Sequence, residues 1–192
     1  DCELSRGLGD VYKRQDPRLV ELILQESTKV IRHRKGVLVV QNHHGVILAN
    51  AGIDRSNLEQ DKEQDWVLLL PKDSDLSAKK IHQELFSKTG VHLGVIINDS
   101  IGRAWRNGTL GTAIGVAGIP SIIDLRGRKD LFGNPLRVSE EAIADELASA
   151  ASLLQGQADE ALPVVLIRGF QKQTPSIPAS GLIRPKETDL FQ

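Results

Sequence analysis

The sequence predicts an α/β protein of the α+β kind, in which a mixed, largely antiparallel sheet packs with helices. Apolar runs of strand length alternate with amphipathic helical stretches through most of the chain. With 192 residues, of which 40% are hydrophobic, the protein can bury one sizeable core. Because neither an internal repeat nor a domain boundary is visible, we expect a single folded domain.

Three helices are expected, each from a start or stop signal beside a stretch with helical spacing. The first begins at an N-cap, Asp16, and ends at a basic cluster before Gly36. The second follows the apolar positions of residues 78–86 and ends at Gly90. The third is capped by Ser139 and stopped by Gly156, with an apolar stripe between them. The helices therefore separate groups of strands along the chain.

Seven strands are expected where short runs are rich in aliphatic and β-branched side chains. They cover residues 37–40, 46–49, 67–70, 91–97, 112–116, 121–125 and 163–167. His43, His44 and Gly45 predict a structural turn between the first two strands, although either histidine could also serve as a base or a metal ligand. The proline-rich stretch 174–185 predicts an exposed tail.

Charge and apolar patterning exclude two classes of partner. The chain has 24 Lys and Arg against 25 Asp and Glu, a net charge of -1, so it has no global field to attract nucleic acid or an anionic membrane. No apolar run approaches the ~20 residues that span a bilayer. The one cysteine, Cys2, excludes an intrachain disulfide, and no secretory signal is visible, so we expect a cytoplasmic protein.

The segment 1–15 is predicted to be a non-native leader. The chain contains no methionine, and the segment, DCELSRGLGDVYKRQ, has neither helical nor strand periodicity. Its end resembles translated sequencing-adapter read-through, and an ordinary disordered leader is the alternative. We therefore assign residues 1–15 to the leader, residues 16–170 to the folded domain and residues 171–192 to a C-terminal tail.

Two polar clusters carry the chemistry that the sequence suggests. Residues 50–57 (NAGIDRSN) and 98–106 (NDSIGRAWR) crowd carboxylate, amide and guanidinium groups beside apolar runs. Asp54 and Asp99 each follow a predicted strand, so sheet pairing could bring the two carboxylates together as ligands of Mg²⁺ or Mn²⁺. Purely local turn chemistry is the alternative interpretation, since Asn, Asp, Ser and Gly are common in turns.

Neighbouring residues could complete such a site. Ser100 offers a hydroxyl ligand and Asn57 a hydrogen bond to a nucleotide. Arg103 and Arg106 offer guanidinium groups for phosphate or carboxylate, which makes them catalytic candidates together with the two carboxylates. Four further charged residues predict either an anion pocket or exposed ion pairs. They are Asp124, Arg126, Arg128 and Asp130. No phosphate loop, dinucleotide fingerprint, nucleophile elbow or zinc spacing occurs, so any nucleotide is held by an unusual site.

Six segments together resemble the coenzyme F420:L-glutamate ligase family, also called F420-0:gamma-glutamyl ligase. They are ANAGIDRSN (49–57), LLLPKDSDLSA (68–78), VIINDSIGRAWRNGTLGTAIGVAG (95–118), DLRGRKDLFGNPL (124–136), IADELASAASLLQGQADEALPVVLIRG (143–169) and RPKETDLF (184–191). The resemblance covers nearly all of residues 16–192 and is more specific than any single motif.

The resemblance implies a GTP-dependent amide ligase with an F420 ligase-like fold. Such an enzyme adds L-glutamate to the lactyl-phosphate tail of coenzyme F420-0, and γ-linked glutamate to F420-1, through an acyl phosphate. It also implies Mn²⁺ or Mg²⁺, a monovalent cation such as K⁺, and a homodimer.

Particular residues acquire roles from the same resemblance. Asp54 and Asp99 would bind one divalent cation, and Ser100 with Gln157 a second. On its residues alone the loop 156–163 is typical of a solvated turn, so the resemblance changes its interpretation. The implied contacts to the guanine nucleotide are Asn57, Gly156, Gln157, Ala158, Asp159, Glu160, Ala161, Leu162 and Pro163.

One departure from the family pattern concerns the start of the chain. Family members begin with an additional N-terminal region that contributes to nucleotide binding, whereas this chain enters near Asp16. We therefore expect an incomplete nucleotide site and a weakly active or inactive chain, and no fused nitroreductase-like domain after residue 192. Three alternatives remain: a paralogous carboxylate–amine ligase, a metal-dependent phosphohydrolase, and a non-catalytic nucleotide-binding fragment.

Overall fold

A computed structural model describes residues 16–59, 65–171 and 175–190, so the predicted leader lies outside the described residues. Its helices are α1 (Pro17–Gln25), α2 (Ser74–Thr89) and α3 (Ile143–Gln155). Its strands are β1 (Ser27–Arg34), β2 (Val37–Asn42), β3 (Ile47–Ala49), β4 (Val95–Arg103), β5 (Arg106–Ala117), β6 (Ile123–Asp124) and β7 (Glu140–Glu141). Helices combined with antiparallel sheets confirm the predicted α+β class.

Two compact units make up the chain, and both are discontinuous in sequence. One contains the described residues up to Leu70 together with Ile101–Gly108, and the other contains Pro71–Ser100 together with the described residues from Thr109 onward. No shift in composition marks these boundaries, because they depend on contacts between distant segments. Within the described ranges, no helix combines the length and the apolar character needed to cross a membrane.

Helix α1 begins where the sequence predicts but ends much earlier. The Asp16 carboxylate caps it by accepting a hydrogen bond from the Arg18 N–H at 2.9 Å. The helix ends at Gln25, so the predicted extension to Gly36 is wrong. The following residues form β1, which pairs antiparallel with β2, and Gly36 takes a φ of 87° in the turn between them. Pairing with a neighbouring strand favours the extended form for a segment that contains β-branched residues.

The core of the first unit lies between α1 and the sheet of order β1-β2-β3. Along β2, burial alternates as one-sided packing requires, and Leu38 and Val40 are fully buried with Val20 and Ile23 of α1. Residues 43–45 form the predicted turn between β2 and β3. There the Asn42 side-chain oxygen accepts hydrogen bonds from the backbone N–H groups of residues 44 and 46, each at 3.0 Å.

In the second unit, α2 ends at Gly90 as predicted, but α3 begins later than predicted. Gly90 has a φ of 68°, which suits a left-handed C-cap. Ser139 is not the cap of α3, since the helix starts after Ala142. Instead, the Ser139 carbonyl accepts a hydrogen bond from the Leu125 N–H at 3.0 Å, and the next two residues form β7 against β6. Pairing with the distant strand β6 therefore outweighs the local tendency of Ser139 to cap a helix.

Several predicted strands differ from those observed. Residues 67–70 contribute one isolated bridge, between Leu68 and Asp54, and residues 163–167 form no strand within the described part of the chain. The predicted exposed tail is hydrogen-bonded to its unit: the Ser121 hydroxyl donates to the Pro178 carbonyl at 2.7 Å, and Ala179 is buried. Residues 172–174 and 191–192 of the predicted C-terminal tail, 171–192, lie outside the described residues.

Both α2 and α3 approach β5 at glycines. A Cβ on Gly111 would lie 2.4 Å from the carbonyl oxygen of Ala148 in α3, and a Cβ on Gly115 would lie 2.3 Å from that of Ser74 in α2. Such distances leave no space for a side chain. The small residues of β5 and α3 complete the core of this unit, with Ala113, Ala144 and Ala148 all buried. Close helix packing on β5 is therefore built from glycine and alanine.

Gly115→Ala should destabilise the protein by about 1–3 kcal/mol, because the new methyl group overlaps helix backbone that cannot rotate away. The matched control is Gly102→Ala, since a Cβ at Gly102 meets no atom within 4 Å. Urea denaturation followed by circular dichroism measures both. Equal midpoints for the two variants would contradict the close packing of α2 on β5.

Candidate functional site

Asp54 lies at the bridge between residues 54 and 68 in the first unit. Its N–H donates to the Leu68 carbonyl at 3.0 Å, and the Leu68 N–H donates back at 2.8 Å. Its exposed carboxylate accepts hydrogen bonds from the N–H and hydroxyl of Ser56, each at 2.8 Å. The preceding turn is tight, with Asn50, Ala51 and Gly52 all at positive φ. Backbone pairing therefore holds this carboxylate at a defined position facing solvent.

The two predicted arginines flank the turn between β4 and β5. Arg103 ends β4 and Arg106 begins β5, and the exposed Trp105 between them has a φ of 64°. The Arg103 guanidinium donates to the Asn107 carbonyl at 3.5 Å, a long contact that leaves most of its donors for other partners. This turn belongs to the same unit as Asp54.

Asp99 and Ser100 lie within β4, so the prediction that Asp99 follows a strand is wrong. The Asp99 carboxylate accepts a hydrogen bond from the Ser100 N–H at 2.8 Å. Asp99 is half-buried and Ser100 is exposed. Both belong to the second unit, whereas Asp54 belongs to the first. The strand therefore presents a carboxylate and a hydroxyl on adjacent residues.

Ser100 and Gln157, which the family resemblance pairs at one cation, are in direct contact. The Gln157 amide donates to the Ser100 hydroxyl at 2.7 Å. The Gln157 side-chain oxygen accepts a longer bond from the Thr109 hydroxyl, at 3.5 Å. The structure thus brings together two residues separated by 57 positions in the sequence.

The loop 156–163 folds back on its own acidic side chain. Gly156 has a φ of 72°, and a Cβ there would lie 2.0 Å from the Glu160 carboxyl carbon. The Glu160 carboxylate accepts a hydrogen bond from the Ala158 N–H at 2.9 Å. This bond, with weaker ones from the N–H groups of residues 160 and 157, lowers the pKa of the Glu160 carboxyl. Glycine suits this position because of its positive φ at the end of α3, and an added Cβ would have to displace the flexible Glu160 carboxylate.

Sequence reasoning missed two side chains that connect this loop to β4. The Asn98 amide donates to the Gln155 side-chain oxygen at 2.8 Å, and the Gln155 amide donates to the Pro163 carbonyl at 3.3 Å. Gln155 is the last residue of α3. The only sequence signal was the position of both residues next to predicted ligands, because amide side chains are otherwise common at helix ends and in turns.

The donor atoms of Asp99, Ser100 and Gln157 fit a divalent cation chemically. They supply carboxylate, hydroxyl and amide oxygens, which are the hard ligands that Mg²⁺ and Mn²⁺ take. Among residues 16–59, 65–171 and 175–190, no three His, Cys, Asp or Glu side chains cluster in a way that could hold a metal. Any cation held here would therefore also use oxygen ligands from a substrate, water, or the Ser and Gln side chains.

Asp124 and Arg126 form an exposed ion pair, so for them the ion-pair alternative is confirmed. Their side chains meet at 2.6 Å, and Arg126 also lies 3.5 Å from Glu140. The side-chain hydrogen bond from Arg126 lowers the pKa of the Asp124 carboxyl to about 2. Asp130 closes its own turn by accepting hydrogen bonds from the N–H groups of residues 132 and 134. Local partners thus account for these two carboxylates.

Comparison with known proteins identifies one family. Residues 3–169 match the family model described as F420-0:Gamma-glutamyl ligase. A coenzyme F420:L-glutamate ligase from Methanocaldococcus jannaschii is 44% identical over 190 residues, covering 99% of this chain and 72% of that relative. One from Methanothermobacter thermautotrophicus is 45% identical, covering 95% of this chain and 73% of that relative. The family match also includes residues 3–15 of the predicted leader.

Gly156→Ala should raise the pKa of the Glu160 carboxyl towards its ordinary value, because the methyl group displaces the carboxylate from the backbone N–H groups that lower it. Gly169→Ala is the matched control: Gly169 also has positive φ, 89°, but a Cβ there meets no atom within 4 Å. Carboxyl NMR titration measures both variants. An unchanged Glu160 pKa in Gly156→Ala would show that the loop does not fold over this carboxylate.

Proposed function

The chain belongs to the F420-0:gamma-glutamyl ligase family, and on that premise we propose that it joins L-glutamate to coenzyme F420-0 through an amide bond. GTP is the proposed phosphoryl donor, and F420-1 is the proposed acceptor of a further γ-linked glutamate. The family match across residues 3–169 is the observation that carries this proposal. The contact between Ser100 and Gln157 supports it, because the family resemblance assigns both residues to one cation.

The proposed reaction has two steps. The terminal carboxylate of F420-0 attacks the γ-phosphorus of GTP, which forms an acyl phosphate and releases GDP. The amine of L-glutamate then attacks the acyl carbon, the amide bond forms, phosphate leaves, and the amine loses a proton to solvent. Activation is needed because a free carboxylate is a poor acyl donor. A phosphate leaving group removes that barrier.

Asp54, Asp99, Ser100 and Gln157 are the proposed holders of the divalent cations, Mn²⁺ or Mg²⁺, which would neutralise phosphoryl oxygens during transfer. Asp99 keeps one carboxylate oxygen on the Ser100 N–H, and this bond holds its second oxygen in a restricted range of positions. Arg103 is proposed to bind the phosphate or carboxylate of the substrate. Arg106 shares that role because the two guanidinium groups flank one turn.

The nucleotide is proposed to contact Asn57 and the loop 156–163. Asn57 has a φ of 52°, and Ala161 in the loop also has a φ of 52°, so both segments are sharply turned. Turned backbone of this kind can present N–H groups to anionic oxygens. K⁺ and assembly into a homodimer complete the proposal, and both rest on the family resemblance alone.

The direct test is mass spectrometry of F420-0 incubated with the protein, L-glutamate, GTP and Mn²⁺, with the Methanocaldococcus jannaschii relative as the positive control. A gain of one or more glutamyl units that requires metal and GTP is the expected result, at a lower rate than that of the relative, because the sequence predicts an incomplete nucleotide site. No gain from folded protein that consumes GTP without glutamate would contradict the proposal and indicate a phosphohydrolase. No gain from folded protein that binds GTP without consuming it would move the assignment to a paralogous ligase or to a non-catalytic nucleotide-binding fragment.

Asp99→Asn should lower kcat/KM for glutamyl transfer by about a hundredfold or more, because the amide keeps the acceptor for the Ser100 N–H but loses the charge that holds a cation. The matched control is Asp124→Asn, which makes the same chemical change in an exposed ion pair. Initial rates of product formation measure both variants. Equal rates for Asp99→Asn and the control would remove Asp99 from the proposed site.

A further inference from the structure

One amide side chain connects both ends of the loop 156–163. Gln155 immediately precedes the loop, and its amide nitrogen donates to the carbonyl of Pro163, the last loop residue, at 3.3 Å. A contact between the two ends of a loop closes it and reduces the conformations that it can adopt. The closure is therefore provided by a single residue at the end of α3.

The same side chain connects the loop to β4. Its oxygen accepts a hydrogen bond from the Asn98 amide at 2.8 Å, and this contact is partly buried. Asn98 directly precedes Asp99 and Ser100 in the strand. Two residues beyond Gln155, the Gln157 amide reaches the Ser100 hydroxyl at 2.7 Å. The strand and the loop are therefore joined at two neighbouring points, of which only the second involves predicted ligands.

Only a side chain with both a donor and an acceptor can make the two contacts of Gln155. An amide supplies an N–H for the Pro163 carbonyl and an oxygen for the Asn98 N–H. A carboxylate could keep the contact to Asn98 but would place an acceptor against the carbonyl. An aliphatic residue would lose both contacts. This requirement explains the use of glutamine at a position where α3 could otherwise end in many residues.

We propose that Asn98 and Gln155 are positioning residues that hold the loop 156–163, and with it Gln157, against β4. The role in nucleotide binding rests on the proposed function of that loop, whereas the closure itself does not. We call Asn98 and Gln155 the clamp. Helix α3, which carries Gln155, is itself fixed to β5 by hydrogen bonds. The Asp145 carboxylate accepts from the Ala113 N–H of β5 at 2.9 Å, and the Ser149 hydroxyl donates to the Gly111 carbonyl at 2.8 Å.

Two single substitutions each remove one of the two hydrogen bonds that Gln155 makes. Gln155→Glu keeps the acceptor for Asn98 and removes the donor to Pro163, while Asn98→Asp removes the donor to Gln155. Loss of one such hydrogen bond changes an opening equilibrium by about three- to tenfold. We therefore expect backbone amides of residues 157–162 to exchange with deuterium about three- to tenfold faster in each variant, without nucleotide.

Matched controls distinguish the effect of losing a clamp hydrogen bond from the effects of added charge and of global unfolding. Gln83→Glu introduces the same carboxylate on the exposed surface of α2, and Asn134→Asp introduces one in the 130–134 turn. Neither should change exchange in the loop. Exchange within β5 should also stay unchanged in all four variants. Faster exchange in β5 as well as in the loop would indicate general destabilisation and would overturn the proposal.

Steady-state kinetics test the positioning role itself. If the loop opens more often, the fraction of protein ready for nucleotide falls, so KM for GTP should rise in both clamp variants by less than the factor by which loop exchange accelerates, while kcat stays within about twofold. A merely structural defect would lower the active fraction, and hence kcat. Faster loop exchange with an unchanged KM for GTP would overturn the role of the clamp in positioning.

The outcomes distinguish this inference from the proposed function. Unchanged loop exchange in both clamp variants would overturn the clamp, whatever the protein catalyses. Faster loop exchange in a protein that neither binds GTP nor extends F420-0 would support the clamp and contradict the proposed function instead. Faster loop exchange together with a raised KM for GTP would support both.

Discussion

The close packing of two helices on β5 is the constraint on which the second unit depends. Among the described residues, β4 is the only strand that pairs with β5, so amides of β5 that β4 does not take need other partners. Side chains of the helices supply them: the Asp75 carboxylate accepts from the Val116 N–H at 2.8 Å, and the Asp145 carboxylate accepts from Ala113. Glycines at the two contact points let the helix backbones come near enough for these bonds.

This arrangement has an electrostatic consequence at Asp145. Burial raises the pKa of its carboxyl, and the bond from the Ala113 N–H opposes that shift without cancelling it. A raised pKa in the folded state means that the folded protein holds this proton more tightly than the unfolded chain. The contribution of Asp145 to stability therefore falls as the pH rises above the ordinary value of 3.8. The Asp145 carboxylate therefore gives the Ala113 N–H of β5 a hydrogen-bond acceptor, but its burial disfavours the charged form.

The packing of α3 on β5 also sets the position of the helix end within the unit, and so the point from which the loop 156–163 starts. From that point Gln155 reaches Asn98, and Gln157 reaches Ser100. The loop then turns at Gly156, and the Glu160 carboxylate lies where a Cβ at that position would be. The predicted ligands of β4 and the predicted nucleotide loop therefore meet because of helix packing that neither segment encodes locally.

The sequence by itself determined the α+β class, the cap of α1 at Asp16, the end of α2 at Gly90 and the segments that identify the family. These features depend on residue type over short spans. Only the tertiary structure decided that residues 27–34 form a strand and that Ser139 does not cap α3, because pairing with distant strands outweighed local propensity. The contact of Gln155 with Asn98 was likewise invisible in sequence, since it joins side chains 57 positions apart that only folding brings together. The family resemblance did pair Ser100 with Gln157, although no local pattern relates those two residues.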